Sequence, residues 1–228
     1  MGFAATLALT LASPNVSAAS PVDTESEAPV FVSAPELGDA EDILSRTPEE
    51  NYEILARLPD ERRESALDEA GANDPTPLIP VDGSGPDKGQ VSPDQAGSNR
   101  TLANRLMFNQ SLQYFINFRA WYHKDYPGLE WSSDACSVPF PLDNISSAYM
   151  KAFQNPCVRH DFGYRNYGAK SALKLAPTEE GRKIIDDKFL ADMQGVAAAT
   201  PDAPLRESLY VGALAFHSAV RLRGGAHY

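Results

Sequence analysis

The stretch "CVRHDFGYRN" (residues 157–166) places a cysteine, a histidine, an aspartate, two arginines and two aromatic residues side by side. Pro156 suits the first turn of a helix and Gly168 suits its end, so one helix is predicted across the stretch. Neighbouring residues on a helix project about 100° apart. His160 and Asp161 therefore point into two adjacent sites, and each site needs partners from elsewhere in the chain.

A carboxylate partner for the histidine is available in "KIIDDKFLADM" (183–193). Asp186 adjoins the apolar stripe of the helix predicted there, so it lies nearer the core than a solvated acid would. A histidine that acts as a general base needs such a carboxylate to hold its tautomer. Asp187 is a weaker rival for this role.

The chain has two cysteines, Cys136 and Cys157, which are expected to pair in an oxidising compartment, with two free thiols as the alternative. A disulfide would draw the loop that carries Asp134 against the helix face of Asp161, which lies one turn after Cys157. Two carboxylates and a loop carbonyl suit a hard cation. The spacing therefore favours a cation site beside the histidine.

Charge and aromatic residues divide the 228-residue chain in two. Residues 1–98 carry 5 Lys and Arg against 19 Asp and Glu, a net charge of −14, and 3 of the 21 aromatic residues. Residues 99–228 carry 15 against 12, a net charge of +3, and the other 18 aromatic residues. Only the C-terminal part has the material for a core. Its charge gives a weak attraction to anionic membranes, and no nucleic-acid partner is expected.

Residues 1–18 are predicted to be a signal peptide, because an apolar run leads to small residues at 16–18. Pro14 ends the run well short of the roughly 20 residues that a membrane span needs. A buried helix and a membrane anchor are the alternatives, since the usual positive charge at the start is missing. The protein is expected to be secreted and extracellular, with association to the cell wall as a variant.

Residues 19–99 are acidic and rich in Pro, Ser and Ala, and they are predicted to be a mostly disordered propeptide or linker. Short amphipathic helices are expected within residues 40–70. Arg62-Arg63 is a candidate site for a processing protease, and a solvated helix patch is the equal alternative. If the acidic region lies over the basic domain, cutting there or near Arg100 should raise activity.

Residues 100–228 are predicted to form a compact all-α domain that is a monomer. Apolar residues recur at spacings of three and four in the segments 101–125, 178–197 and 205–223. No alternating pattern of useful length indicates a strand. Proline and glycine mark residues 126–144 as a loop.

Three blocks, "EWSSDAC" (130–136), "CVRHDFGYRNY" (157–167) and "IIDDKFLADM" (184–193), resemble in content and order the signature segments of a known family. The family is the secreted, prokaryotic-type (group XIV) phospholipase A2 family of bacteria and fungi. The resemblance covers roughly residues 100–223, and the central block is its most specific part. It implies a compact all-α fold, calcium dependence, and hydrolysis of the sn-2 ester of glycerophospholipids to lysophospholipid and free fatty acid.

The resemblance also assigns roles to individual residues. His160 matches the catalytic histidine of the family, and Asp186 matches the aspartate that supports it. Asp134 and Asp161 match the carboxylate ligands of calcium, and Ala135 matches the residue that offers its main-chain carbonyl.

Cys136 and Cys157 match the disulfide beside the site, and here the chain also departs from the family. Bacterial members have a second disulfide near the C-terminus, for which this chain has no cysteines. The segment between Asp134 and Cys157 is longer than expected, which leaves the shape of the site entrance open.

The implied mechanism is a His-Asp dyad that activates water. His160 would take a proton from the attacking water while Asp186 supports the ring, and calcium would bind the phosphate and polarise the ester carbonyl. The expected partner is the surface of a phospholipid membrane or micelle. Two alternatives are a catalytically weak calcium-binding surface protein and a lipid-binding module of the same fold. Both should lose the dyad first, and both dyad residues are present.

Overall fold

The computed structural model describes residues 34–73, 96–136 and 145–228, and the regular structure within these ranges is entirely helical. The predicted all-α class is confirmed. In chain order the helices are α1 (Ala40–Ser45), α2 (Pro48–Arg57), α3 (Asp60–Glu69), α4 (Ala96–Phe108), α5 (Leu112–Tyr122), α6 (Ser147–Ala152), α7 (Gln154–Tyr167), α8 (Glu179–Ala198) and α9 (Ala203–Arg223). Among the described residues, no helix combines the length and the apolar character that a membrane crossing requires.

Local sequence signals explain where the helices begin. The helical pattern over 101–125 is divided into α4 and α5 because Ser111 caps a new helix, its hydroxyl accepting a hydrogen bond from the Tyr114 amide at 3.1 Å. Thr178 caps α8 and Asp202 caps α9 in the same way. The helix α7 starts two residues before the predicted Pro156 and ends at Tyr167, just before Gly168.

Two apolar clusters form the core. The first surrounds α9 and includes residues of α1, α2, α3, α6 and α8. The second joins α4 and α5 to α7 and α8. The helices α7 and α8 take part in both, with Cys157 and Phe189 in the first cluster and Phe162 and Ile185 in the second. Side chains between α7 and α8 are therefore held from both sides.

The N-terminal region is more ordered than its composition predicts. The short amphipathic helices expected within residues 40–70 are present as α1, α2 and α3, and their apolar residues Ile43, Leu44 and Leu55 are fully buried. Residues 34–73 are therefore an ordered part of the region that is predicted to be mostly disordered. The reason is that α9 is buried on almost every face and offers these helices an apolar surface, which their own composition cannot reveal.

Both predicted processing sites lie inside helices. Arg62-Arg63 is in α3, where Arg62 pairs with Glu36 and Arg63 pairs with Glu207. Arg100 is in α4, and its guanidinium donates to the Leu175 carbonyl at 3.0 Å. The predicted signal peptide (1–18) and residues 19–33 and 74–95 of the predicted propeptide or linker lie outside the described residues, so these two interpretations stay predictions there.

Candidate active site

The centre of the site is a contact between α7 and α8. Nε2 of His160 lies 2.8 Å from Oδ1 of Asp186, which is fully buried. Gly163 permits this close approach, because a Cβ at that position would stand 2.5 Å from Cγ2 of Ile185 on α8. The structure therefore brings together the two residues proposed as a dyad. Asp187, the rival, is instead half-exposed and pairs with Lys183.

Asp186 is surrounded by donors. Its Oδ1 also accepts from the Tyr164 hydroxyl at 2.8 Å, and its Oδ2 accepts from Arg182 at 3.1 Å and from Arg221 at 2.8 Å. Burial raises the pKa of Asp186, but the hydrogen bonds and charges of these neighbours and of His160 outweigh it and hold the pKa below the usual value. The carboxylate is therefore ionised at neutral pH although it is buried.

Aromatic rings fix the orientation of the histidine. The imidazole of His160 lies 4.3 Å from the ring of Tyr164 and 4.5 Å from the ring of Phe189, measured between centroids. Because Nε2 faces Asp186, Nδ1 is the ring nitrogen left to exchange a proton with a bound molecule.

The second site residue, Asp161, meets the loop that carries Asp134. Its Oδ2 accepts hydrogen bonds from the Ser133 hydroxyl at 2.6 Å and from the Asp134 amide at 3.1 Å. Burial, reinforced by the charge of Asp134, raises the pKa of Asp161 to about 6, although the Ser133 hydrogen bond partly offsets this. The predicted convergence of loop and helix is therefore present at the level of the backbone.

The side chain of Asp134 turns towards a cation of the protein itself. Its Oδ1 accepts from Arg165 at 2.8 Å, and the Asp134 side chain is 61% exposed. Ala135 adopts φ +60°, a left-handed conformation that costs a residue with a Cβ roughly 1 kcal/mol or more. In the described residues, no group of three or more His, Cys, Asp or Glu side chains is arranged to hold a metal ion. Main-chain carbonyls, such as that of Ala135, are oxygen ligands outside this set of side chains.

A disulfide holds this loop against α7. Cys136 and Cys157 are bonded, with their Cα atoms 5.1 Å apart, as the sequence predicts. Cys157 lies one turn before Asp161 on the same helix, so the crosslink ends close to the Asp161 carboxylate.

These residues open on one cavity of about 480 Å³. Its polar lining includes Asp134, His160 and Asp161, and its apolar lining includes Phe189 and Phe216. A cavity that joins a buried acid–base pair to apolar walls fits a ligand that has a polar reacting group and a hydrocarbon part.

Several residues of the site carry no assignment in the sequence analysis. Tyr164 and Arg165 belong to "FGYRN" (162–166), the part of the motif for which the sequence predicts no role in the site. Spacing could have indicated Tyr164 and Arg182, since each lies four residues from a dyad member on the same helix. Arg221 comes from α9, and no local pattern connects it with Asp186.

Two buried polar residues pair with each other behind the site. Arg159 is 1% exposed and donates to Asp192 at 2.7 Å, so it forms an ion pair within the fold. Asp192 is thus buried and paired rather than a solvated charge.

Comparison with known proteins identifies the family. A model of the family described as prokaryotic phospholipase A2 matches residues 103–224. "Secretory phospholipase A2" of Beauveria bassiana (strain ARSEF 2860) is 31% identical over 124 residues, which cover 54% of this chain and 58% of that protein. "Secretory phospholipase A2" of Arthroderma benhamiae (strain ATCC MYA-4681 / CBS 112371) is 36% identical over 96 residues, which cover 40% of this chain and 55% of that protein.

The chain thus spans little more than half the length of these relatives. The segment that matches the family model contains α7, α8 and α9, and with them His160, Asp186 and the disulfide. This match covers more than half of the sequence. The chain therefore belongs to the prokaryotic phospholipase A2 family.

Proposed function

We propose that the chain is a phospholipase A2 that hydrolyses the sn-2 ester of glycerophospholipids to lysophospholipid and fatty acid. The observation that carries the proposal is the buried His160–Asp186 pair, which opens on a partly apolar cavity in a chain of this family. The cavity walls at Phe189 and Phe216 suit an acyl chain, and the polar residues beside them suit the ester.

His160 and Asp186 have the arrangement that general base catalysis requires. Nδ1 of His160 accepts a proton from a water molecule as that water attacks the ester carbonyl. The negative charge of Asp186, 2.8 Å from Nε2, stabilises the imidazolium that forms. Arg182 and Arg221 keep Asp186 ionised, and Tyr164 keeps its Oδ1 in place. The proton is then returned to the leaving alkoxide of the lysophospholipid.

The residues beside the dyad fit calcium as a cofactor. Asp134 and Asp161 offer carboxylate oxygens and Ala135 offers a carbonyl, and oxygen is the ligand type that calcium prefers. The buried charge of Asp161, next to that of Asp134, also favours a cation between them. When bound there, calcium would neutralise the substrate phosphate and stabilise charge on the ester oxygen.

The setting follows from the same proposal. The substrate is a phospholipid in a membrane or micelle surface, and the protein acts outside the cell as a monomer. Support for secretion comes from the predicted signal peptide at residues 1–18 and from the word "secretory" in the names of both relatives. The disulfide agrees with an oxidising compartment.

The test is the release of fatty acid from mixed micelles of phosphatidylcholine, with calcium and with a chelator. We expect release with calcium only, and we expect His160→Ala to lower the rate by about 10²–10⁴-fold. The matched control is His123→Ala, since His123 lies on a short 3₁₀ helix, His123–Asp125, directly after α5 and does not line the cavity. If His160→Ala releases as much fatty acid as the parent protein, the proposed mechanism is wrong.

A further inference from the structure

The helix α9 packs against two groups of helices, and only one of these groups belongs to the catalytic part of the chain. On one face, Phe216 contacts Phe153 and Phe189, which lie on the α6–α7 side and on α8. On another face, Glu207 and Ser208 bond to residues of α3 and α2. Three- and four-residue spacing places Val211 and Ala215 on this second face, and both are fully buried.

The N-terminal segment, residues 34–73, supplies the apolar cover for the second face. Leu37, Ile43, Leu44 and Leu55 are each fully buried and belong to the same cluster as the buried residues of α9. Without this segment, α9 would expose a continuous apolar surface to water, which soluble proteins rarely do.

Buried hydrogen bonds make the contact specific. The Asn51 side chain donates to the Tyr149 hydroxyl at 3.0 Å, and that hydroxyl donates to the Ser208 carbonyl at 3.1 Å. The Ser208 hydroxyl in turn donates to the Pro48 carbonyl at 2.5 Å. Asn51, Tyr149 and Ser208 are all fully buried, so leaving any of their polar groups unpaired would cost free energy.

Further bonds hold the rim of this contact. The Arg63 guanidinium donates to Glu207 at 3.0 Å and 2.5 Å, a pair that ties α3 to α9. The Gln194 side chain of α8 donates to the Ala70 carbonyl at 2.9 Å, and the Ser146 amide donates to the Leu44 carbonyl at 2.9 Å. The N-terminal segment is therefore bonded to α8, to α9 and to the start of α6.

The segment does not block the site, because no residue of 34–73 lines the cavity of His160. We propose that the N-terminal segment is a permanent subdomain that occupies the second face of α9 and stays bound there when the chain is cut between residues 73 and 96. Processing in that interval would produce an enzyme of two chains and would not release an inhibitor. The proposal stands apart from the catalytic activity, since retention of the segment is measured without substrate.

The test uses the full chain with residues 81–87 replaced by the recognition sequence of a specific protease. After cutting under native conditions, we expect the N-terminal piece and the catalytic piece to elute together from a sizing column, with both masses present in one peak. We expect activity within twofold of the uncut protein. Elution of the N-terminal piece on its own would overturn the proposal, whatever the catalytic piece then does.

Two sets of variants test the assigned contact. Leu44→Asp in the cut protein should release the N-terminal piece, whereas Ile184→Asp, which places the same charge at an exposed apolar residue, should not. Arg63→Glu and Glu207→Arg should each weaken retention, and the double exchange should restore it. This exchange keeps the test available if Leu44→Asp fails to fold. Equal retention by Leu44→Asp, or a double exchange no better than the single ones, would contradict the assigned contact.

Discussion

Nη1 of Arg221, on α9, lies 2.8 Å from Oδ2 of the buried Asp186 on α8. The longest helix of the described chain thus contributes a positive charge to the aspartate of the dyad. An isolated carboxylate in this position would be partly protonated, because burial raises its pKa. The position of α9 therefore affects the charge state of the proposed catalytic pair.

Arg221→Gln should weaken both the fold and the catalytic pair. Loss of a hydrogen bond to a buried charged group costs about 1.5–3 kcal/mol of unfolding free energy. Arg182 still bonds to Oδ2, so the effect should not reach that of losing Asp186 itself. The measurement is urea unfolding beside the turnover number. Lys124→Gln, at an exposed position outside the cavity, should change stability by less than about 0.5 kcal/mol, and an equal loss in both variants would contradict this role.

Tyr164→Phe should lower turnover about tenfold, equivalent to about 1.4 kcal/mol, because Asp186 loses the donor at Oδ1 while the ring contact with His160 remains. The matched control is Tyr167→Phe, one turn further along α7. It removes a hydroxyl that donates to Asn104 at 2.7 Å and not to Asp186. Both variants should lose stability, but only Tyr164→Phe should lose turnover; equal turnover in the two would count against the assignment.

Gly163→Ala should push α7 and α8 apart. The added Cβ would stand 2.5 Å from the Ile185 side chain, and overpacking of this kind costs about 1–3 kcal/mol. We expect a lower melting temperature and lower activity, since the same contact holds His160 against Asp186. Ile185→Ala in the same protein should recover part of the activity. Gly225→Ala, where the added Cβ would stand 3.9 Å from Nε of Arg182, is the control and should be close to neutral.

Calcium should stabilise the protein by binding to Asp134 on the loop and Asp161 on α7. At a concentration about 100 times the dissociation constant, a bound ion adds about 2.7 kcal/mol to the unfolding free energy. A thermal shift with calcium should therefore be present in the parent and in Asp187→Asn, and absent from Asp161→Asn. A shift that survives Asp161→Asn would place the ion elsewhere. This measurement needs no substrate, so it separates ion binding from catalysis.

His217 should make stability depend on pH below about 6.5. Burial lowers its pKa in the folded protein, although the charges of Asp186 and Asp187 oppose this, and Nδ1 is buried with no hydrogen-bond partner among the described residues. Between the folded and unfolded pKa values, the unfolded chain binds more protons, so stability falls as pH falls through 6.5. His217→Gln should flatten this slope in urea unfolding from pH 7 to 5, and a slope as steep as that of the parent protein would contradict the prediction.

Local sequence patterns were sufficient for part of the structure. The proline and glycine that bound α7, the apolar periodicity of α8 and the pair of cysteines depend on short-range chemistry that can be read from neighbouring residues. The buried position of Asp186 follows from its place beside Ile185 and Phe189 in the apolar stripe.

The remaining features depend on contacts between distant segments. Arg221 reaches Asp186 over 35 residues of chain, and Arg63 reaches Glu207 over 144. The composition of residues 34–73 indicates a poor core when it is judged alone, because the apolar surface that orders it belongs to α9. The pairing of Asp134 with Arg165 likewise depends on the path of a loop, which no periodicity describes.

The two-sided burial of α9 has a consequence for how this sequence can change over generations. Val211 and Ala215 are buried on the face of α9 that meets helices with no proposed catalytic residue. On the same helix, Phe216 contacts Phe189 and Arg221 bonds to Asp186 at the proposed site. A substitution that shifts α9 to improve its packing on one side also changes its packing on the other side. Residues 34–73 and the helices of the proposed site are thus expected to covary in relatives that carry both.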